Sequence, residues 1–213
     1  MFRTYSARSF YVKTVSSLFR HHILQSYCLT QRKTVNTNVF DDSPVKSRIR
    51  QNYQEVSEAG VNNQISKELH ASYVYAAMAF HFDRDDVALP KVSDFFFKSG
   101  NEELQHAYKL MKFQNMRGGT VQFKAIEAPA KSHWPSLLEA MQDALELEKA
   151  LNHDLLELHH IASAHKDAQM CDFLESEYLH EQVEAIKKLS DHVTNLKRVG
   201  SGLGEYVFNG EFK

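Results

Sequence analysis

Ser99-Gly100-Asn101-Glu102-Glu103-Leu104-Gln105-His106 sets Glu103 and His106 three positions apart. On a helix, residues so spaced stack on one face. A carboxylate and an imidazole arranged that way can grip one metal ion. The pair does not decide the matter by itself, because the chain holds two more, Glu157 with His160 and Glu177 with His180. Glu and His are mostly exposed in folded proteins, so most such pairs are solvated surface. The deciding question is which pair looks into a core.

The apolar spacing answers it. From 51 to 82 a helical seam runs through Val61, Ile65, Glu68, Ser72, Tyr75, Ala79 and Phe82. Asp83-Arg84-Asp85-Asp86 breaks it as a short polar link. Pro90 suits the first turn of a second helix, whose seam is Val92, Phe96, Ser99, Glu103, His106, Leu110 and Phe113. Gly118-Gly119 stops that helix. Residues 119–135 have no period and contain Pro129 and Pro135, so they form a long crossover. Ser136 is the expected N-cap of a third helix, with Leu137, Met141, Ala144, Glu148, Leu151, Leu155, Leu158 and Ala162 on its seam. After a turn around 164–167, a fourth seam carries Cys171, Leu174, Tyr178, Gln182, Ala185, Leu189, Val193 and Leu196. Glycines at 200, 202 and 204 precede a short amphipathic tail ending near Phe208.

Four long amphipathic helices predict an all-α four-helix bundle. The short links make helices one and two, and three and four, antiparallel. A crossover of 17 residues spans about 50 Å at roughly 3.3 Å per residue. That exceeds the ~42 Å length of a 28-residue helix, so helices two and three can run parallel. The tail adds a short fifth C-terminal helix.

Each seam is apolar except at its middle. There stand Glu68 and Tyr75, then Glu103 and His106, then Glu148, then Gln182. Glu157, His160, Glu177 and His180 fall off the seams and read as surface. A buried polar network that sets helix register explains the central group poorly, because Glu68, Glu103 and Glu148 bring three negative charges and Glu102 borders them with a fourth. Unpaired buried carboxylates cost several kcal/mol each unless protonated or bound to metal. Two divalent cations balance four carboxylates, and hard oxygens with one imidazole suit iron better than zinc or copper. The layer reads as a di-iron centre.

Composition narrows the class. Of 213 residues, 43% are apolar, with 8 glycines and 4 prolines, which fits long helices better than a turn-rich β fold. No apolar run approaches the roughly 20 residues of a membrane helix. Cys28 and Cys171 are the only cysteines, too few for a disulfide framework. His21-His22 and His159-His160 lack metal-spaced partners. There is no Gly-rich phosphate loop and no nucleophile–His–acid set. Residues 1–40 carry six basic side chains and no acid, the first being Asp41. A basic, Ser/Thr-rich leader over 1–45, acid-free through residue 40, is expected to be a mitochondrial transit peptide, with the domain over 46–213 and a matrix location. Without those six, 25 − 6 = 19 basic residues face 27 acidic ones. A net charge of about −8 favours cations over nucleic acid as partners.

From about 51 to 208 the chain resembles ferritin, in its iron-oxidising heavy type. The stretches that carry the likeness are 64–75, FDRDDVAL at 82–89, 109–119, Leu147-Glu148, and 172–196 with YLHEQVEAIKKLSDHVTNL. With its basic leader it resembles the mitochondrial members. Related di-iron bundles carry two Glu-x-x-His motifs; this chain keeps one on its seams and sets Gln182 where the second would stand.

The resemblance implies roles. Glu68, Glu103 and His106 would hold a first iron. Glu103 would bridge to a second, held by Glu148 with help from Glu102 and Gln182. Tyr75 would hydrogen-bond within the centre and supply an electron. Two Fe(II) ions would reduce O2 together, and oxidised iron would pass into the hollow of a 24-subunit shell, built alone or with other ferritin subunits. Asp172 and Glu175 would line three-fold iron inlets, with Cys171 and His159 nearby. The implied activity is ferroxidase and iron storage. The alternatives are a non-catalytic structural ferritin subunit, which would lack the central layer, and a di-iron oxygenase or reductase subunit. Two departures stand out. Gln105 and Tyr108 replace the cavity-facing glutamates usual in heavy chains, which bears on mineral nucleation. The final helix is short, which bears on the four-fold pore.

Overall fold

Residues 47–212 are described by the computed structural model. The leader, Cys28 and His21-His22 lie outside them. Helix α1 spans Glu55–Phe82. It starts four residues later than the spacing at 51 implies, because Asn52 takes a left-handed turn (φ 48°) and binds the carbonyl of Lys166 at 3.0 Å. Tyr53 behind it is buried and donates its hydroxyl to Gln114.

Helix α2 spans Pro90–Met116, with proline in its first turn. It ends in a Schellman motif. The Gly119 N–H donates to Gln114 O at 2.9 Å and the Gly118 N–H to Asn115 O at 3.1 Å. Gly118 sits at φ +77°, and a Cβ there would stand 2.3 Å from Ser47 Oγ. Only glycine serves both the turn and the close approach.

Helix α3 spans Leu137–Ala164, and Ser136 Oγ accepts from the Glu139 N–H at 3.1 Å, as the N-cap reading expects. The fourth long element is composite: α4 over Ala168–Leu174, a π-helical turn over Glu175–Leu179, and α5 over His180–Val199. Asp167 caps its start, taking the Met170 N–H at 3.1 Å. Its fully buried carboxylate also holds Arg117 through two bonds of 2.8 and 3.0 Å. The short helix α6 spans Leu203–Asn209.

Contacts fix the directions. Tyr53 packs on Phe113 and Tyr75 on Phe96, so α1 and α2 are antiparallel. Lys67 pairs with Asp154 at 2.5 Å and Tyr75 bonds Glu148, so α1 and α3 are antiparallel too. Helices α2 and α3 therefore run parallel, as the crossover length allows. The crossover climbs along α1. Thr120 and Gln122 bond Asn62, the Glu127 carbonyl meets His70 at 3.1 Å, and the Trp134 carbonyl meets His81 at 2.9 Å. Buried Trp134 donates its indole N–H to Asp143 at 2.9 Å, which anchors the upper end.

Two apolar clusters fill the bundle. One gathers Phe82, Phe96, Leu137, Met141, Leu189 and Phe208. The other gathers Ile65, Leu110, Phe113, Leu155, Met170 and Leu174. Tyr75 belongs to the first and Tyr178 to the second. Among the described residues, no helix is long and apolar enough to cross a membrane.

Candidate metal centre

The polar middle of the seams lies where the two apolar clusters meet. Glu68, Glu103, His106, Glu148 and Gln182 are all buried, each brought in by the apolar residues a turn away on its own helix. Glu68, Glu103 and His106 each offer a ligand atom, and these atoms lie within 4.8 Å of one another. His106 Nδ1 is 3.1 Å from Glu103 Oε2. Tyr75 donates its hydroxyl to Glu148 Oε1. Gln182 Nε2 donates to Glu148 Oε2 at 2.9 Å. Four helices thus converge on one cavity of 180 Å³. Glu102 is exposed and reaches that cavity from its rim.

The acids of the layer raise one another's pKa values. Burial, then the charge of Glu103, holds the Glu68 carboxyl well above the usual range. Burial, then the charge of Glu148, pushes Glu103 up to about 8. The two carboxyls act on each other, so the acid form is favoured within the pair. Burial and the Glu148 carboxylate push the Tyr75 phenol up as well, so it stays a donor. Burial and mutual repulsion are what favour the protonated forms. Carboxylate oxygens with one imidazole, gathered at a small cavity, form a donor set for a divalent metal ion.

Four participants lay outside the sequence reading. Glu181 Oε2 stands 3.2 Å from His106 Nε2. That contact leaves Nδ1 to face Glu68 and Glu103. Glu184 also lines the cavity. Gln64 Nε2 donates to Glu68 Oε1 at 2.7 Å. Tyr178, expected only as a seam residue, donates its hydroxyl to the His106 carbonyl at 2.8 Å. The π-helical turn that contains Tyr178 is a feature often found at functional sites.

The off-seam pairs are surface, as expected. Glu157, His160, Glu177 and His180 are exposed, and Glu177 pairs with Lys109 at 3.2 Å. Asp172 and Glu175 are exposed near the start of the fourth element. Glu175 meets His159 at 2.7 Å, and Cys171 is half-buried beside them. None of these lines the central cavity.

A four-helix bundle with a parallel crossover pair and a carboxylate–histidine layer at its middle defines a class of metal-binding bundle. The ferritin-like domain pattern matches residues 58–199. The chain is 58% identical over 165 residues to soma ferritin of Lymnaea stagnalis, covering 78% of this chain and 95% of that protein. It is 57% identical to ferritin-1 heavy chain of Schistosoma mansoni and 53% identical to ferritin heavy chain of Echinococcus granulosus, with the same coverage. The chain belongs to the ferritin family.

Proposed function

We propose that this chain is an iron-storage subunit with ferroxidase activity, taking Fe(II) and O2 as substrates. The observation that carries the reading is the buried trio Glu68, Glu103 and His106, with ligand atoms within 4.8 Å in a core otherwise apolar on both sides. Glu68, Glu103 and His106 supply one iron position. Glu103, Glu148, Glu102 and Gln182 supply a second beside it, and Glu103 is common to both.

The chain's own groups set up the reaction. Glu181 and the Tyr178 bond to the His106 backbone orient the imidazole. Tyr75 and Gln182 hold Glu148 in place, and Tyr75 is close enough to the layer to serve as an electron donor. The apolar clusters keep bulk water from both sides, which strengthens every charge interaction within the layer. Two Fe(II) ions then give one electron each to O2. The acidic rim of Glu102, Glu181 and Glu184 gives oxidised iron a route out of the cavity.

The same reading includes assembly into a 24-subunit shell, with Asp172 and Glu175 at its iron inlets, and size-exclusion chromatography tests it directly. The chemistry is tested by anaerobic Fe(II) loading followed by air in stopped-flow absorbance. Glu103→Ala with His106→Ala should leave the particle assembled and slow the rapid phase by at least about tenfold. An unchanged rapid phase would remove the centre from consideration.

A further inference from the structure

A nitrogen-rich spot lies where the crossover reaches the end of α1. His81 stands on the last turn of α1 and is 2% exposed. Its Nε2 is 2.9 Å from the Trp134 carbonyl oxygen, so Nε2 carries the proton and donates. A neutral imidazole so placed keeps its lone pair on Nδ1. That Nδ1 is buried and has no partner. The ring of exposed His133 stands beside the His81 ring, with centroids 4.9 Å apart and planes at 89°.

We propose that His81 Nδ1 and the His133 imidazole bind one late first-row divalent cation, copper(II) or zinc(II), at a site separate from the carboxylate layer.

The spacing fits that chemistry. A metal–nitrogen bond is about 2.0–2.1 Å, which puts each ring centre roughly 3.2 Å from the ion; two such rings at about 90–109° lie roughly 4.5–5.1 Å apart. The observed separation falls inside that range. The Trp134 carbonyl behind His81 is the kind of outer partner that fixes the tautomer of a ligating histidine. It is itself held, since the Trp134 indole is tied to Asp143. Phe82 and Trp134 flank the His81 ring at 4.9 and 5.5 Å between centroids, so Nδ1 has a fixed direction. His133, being exposed, supplies both the second nitrogen and the way in. Asp86, whose charge reaches His81, is already gripped by Arg84 through bonds of 2.8 and 2.6 Å, and Asp143 by the Trp134 indole. The donor set is therefore two imidazoles with positions left for water. Imidazole selects copper and zinc, in contrast to the oxygen-rich central layer. Nothing in this proposal depends on the ferroxidase reading.

The test uses the full chain carrying Glu103→Ala and His106→Ala, so that the central layer does not compete for the probe. Copper(II) chloride is titrated in, and bound copper is counted by equilibrium dialysis and followed by electron paramagnetic resonance. The same titration is run with His133→Ala added. That change falls on an exposed loop side chain and leaves the fold in place, which circular dichroism verifies. The expected result is one tightly held copper per subunit with splitting from two nitrogens, displaced by excess zinc chloride. His133→Ala should lose that equivalent and that splitting. Equal stoichiometry and equal spectra with and without His133 would overturn the proposal, because copper would then sit on other histidines. Absence of tight copper in the parent would overturn it too.

Discussion

Binding Fe(II) to the central layer should expel protons, and the structure sets the number. With Glu103 pushed up to about 8, a carboxyl of that pKa is roughly 90% protonated at pH 7 and roughly 10% at pH 9. Burial and the Glu103 charge hold Glu68 well above its ordinary value too. A cation gripped by both carboxylates must displace these protons. Glu103 should release close to one proton per subunit at pH 7 and about a tenth of one at pH 9, and Glu68, also raised, adds to the count. Apparent affinity should therefore rise steeply with pH below 8 and less steeply above it.

The assay is anaerobic Fe(II) addition in a pH-stat, before O2 is admitted, so that hydrolysis of Fe(III) adds nothing to the count. Glu103→Gln should remove about one proton from the pH 7 value. Release of less than about half a proton per subunit by the parent at pH 7 would refute the coupling. The same raised pKa has a stability consequence. A carboxyl raised in the fold binds more protons folded than unfolded, so its contribution is fully present below the unfolded value near 4.5 and is lost as pH rises through about 8. With a chelator present, the unfolding midpoint should fall between pH 5 and 8.5, and by less in Glu103→Gln.

Further outcomes follow from particular contacts. Glu181→Gln loosens the partner of His106 Nε2 and should weaken Fe(II) binding about 10–100-fold; because Glu181 is half-exposed, calorimetry should show an unchanged melting temperature. Gln105→Glu with Tyr108→Glu adds acids to an exposed helix face and should speed mineral growth after the first rapid phase, read as iron deposited per particle. Phe96 is fully buried and stacks between Tyr75 and Phe82, so Phe96→Ala should cost about 3–5 kcal/mol in denaturant unfolding.

Much of this was legible because a helix seam is a strict period. All eight seam residues of α3, Leu137 through Ala162, are buried, and the central polar layer fell out of the same rule. Periodicity assigns a residue to a face but does not say how far its side chain reaches. Glu181 lies one position off the seam beside Gln182, yet its carboxylate extends to His106. Gln64, one turn before Glu68, was missed for the same reason. The π-helical turn over Glu175–Leu179 leaves no residue-type signature, since Glu, Ser, Tyr and Leu all suit an α-helix. His81 sits beside Phe82 rather than on the seam, and only the returning crossover buries it.

The core of this bundle is divided, with apolar packing above and below and reactive groups between. Hydrophobic burial in the two outer tiers therefore holds the fold without help from the middle one. Filling that middle tier with well-packed apolar or neutral side chains would remove crowded carboxyls, and such replacements are often neutral or stabilising. Such a replacement lies level with or downhill from this sequence in folding free energy. A copy that lost its chemistry would fold at least as well and would pass any surveillance that inspects only folding. Chemically silent subunits are thus an easy evolutionary product of this architecture, and the reactive tier persists only where its chemistry is selected.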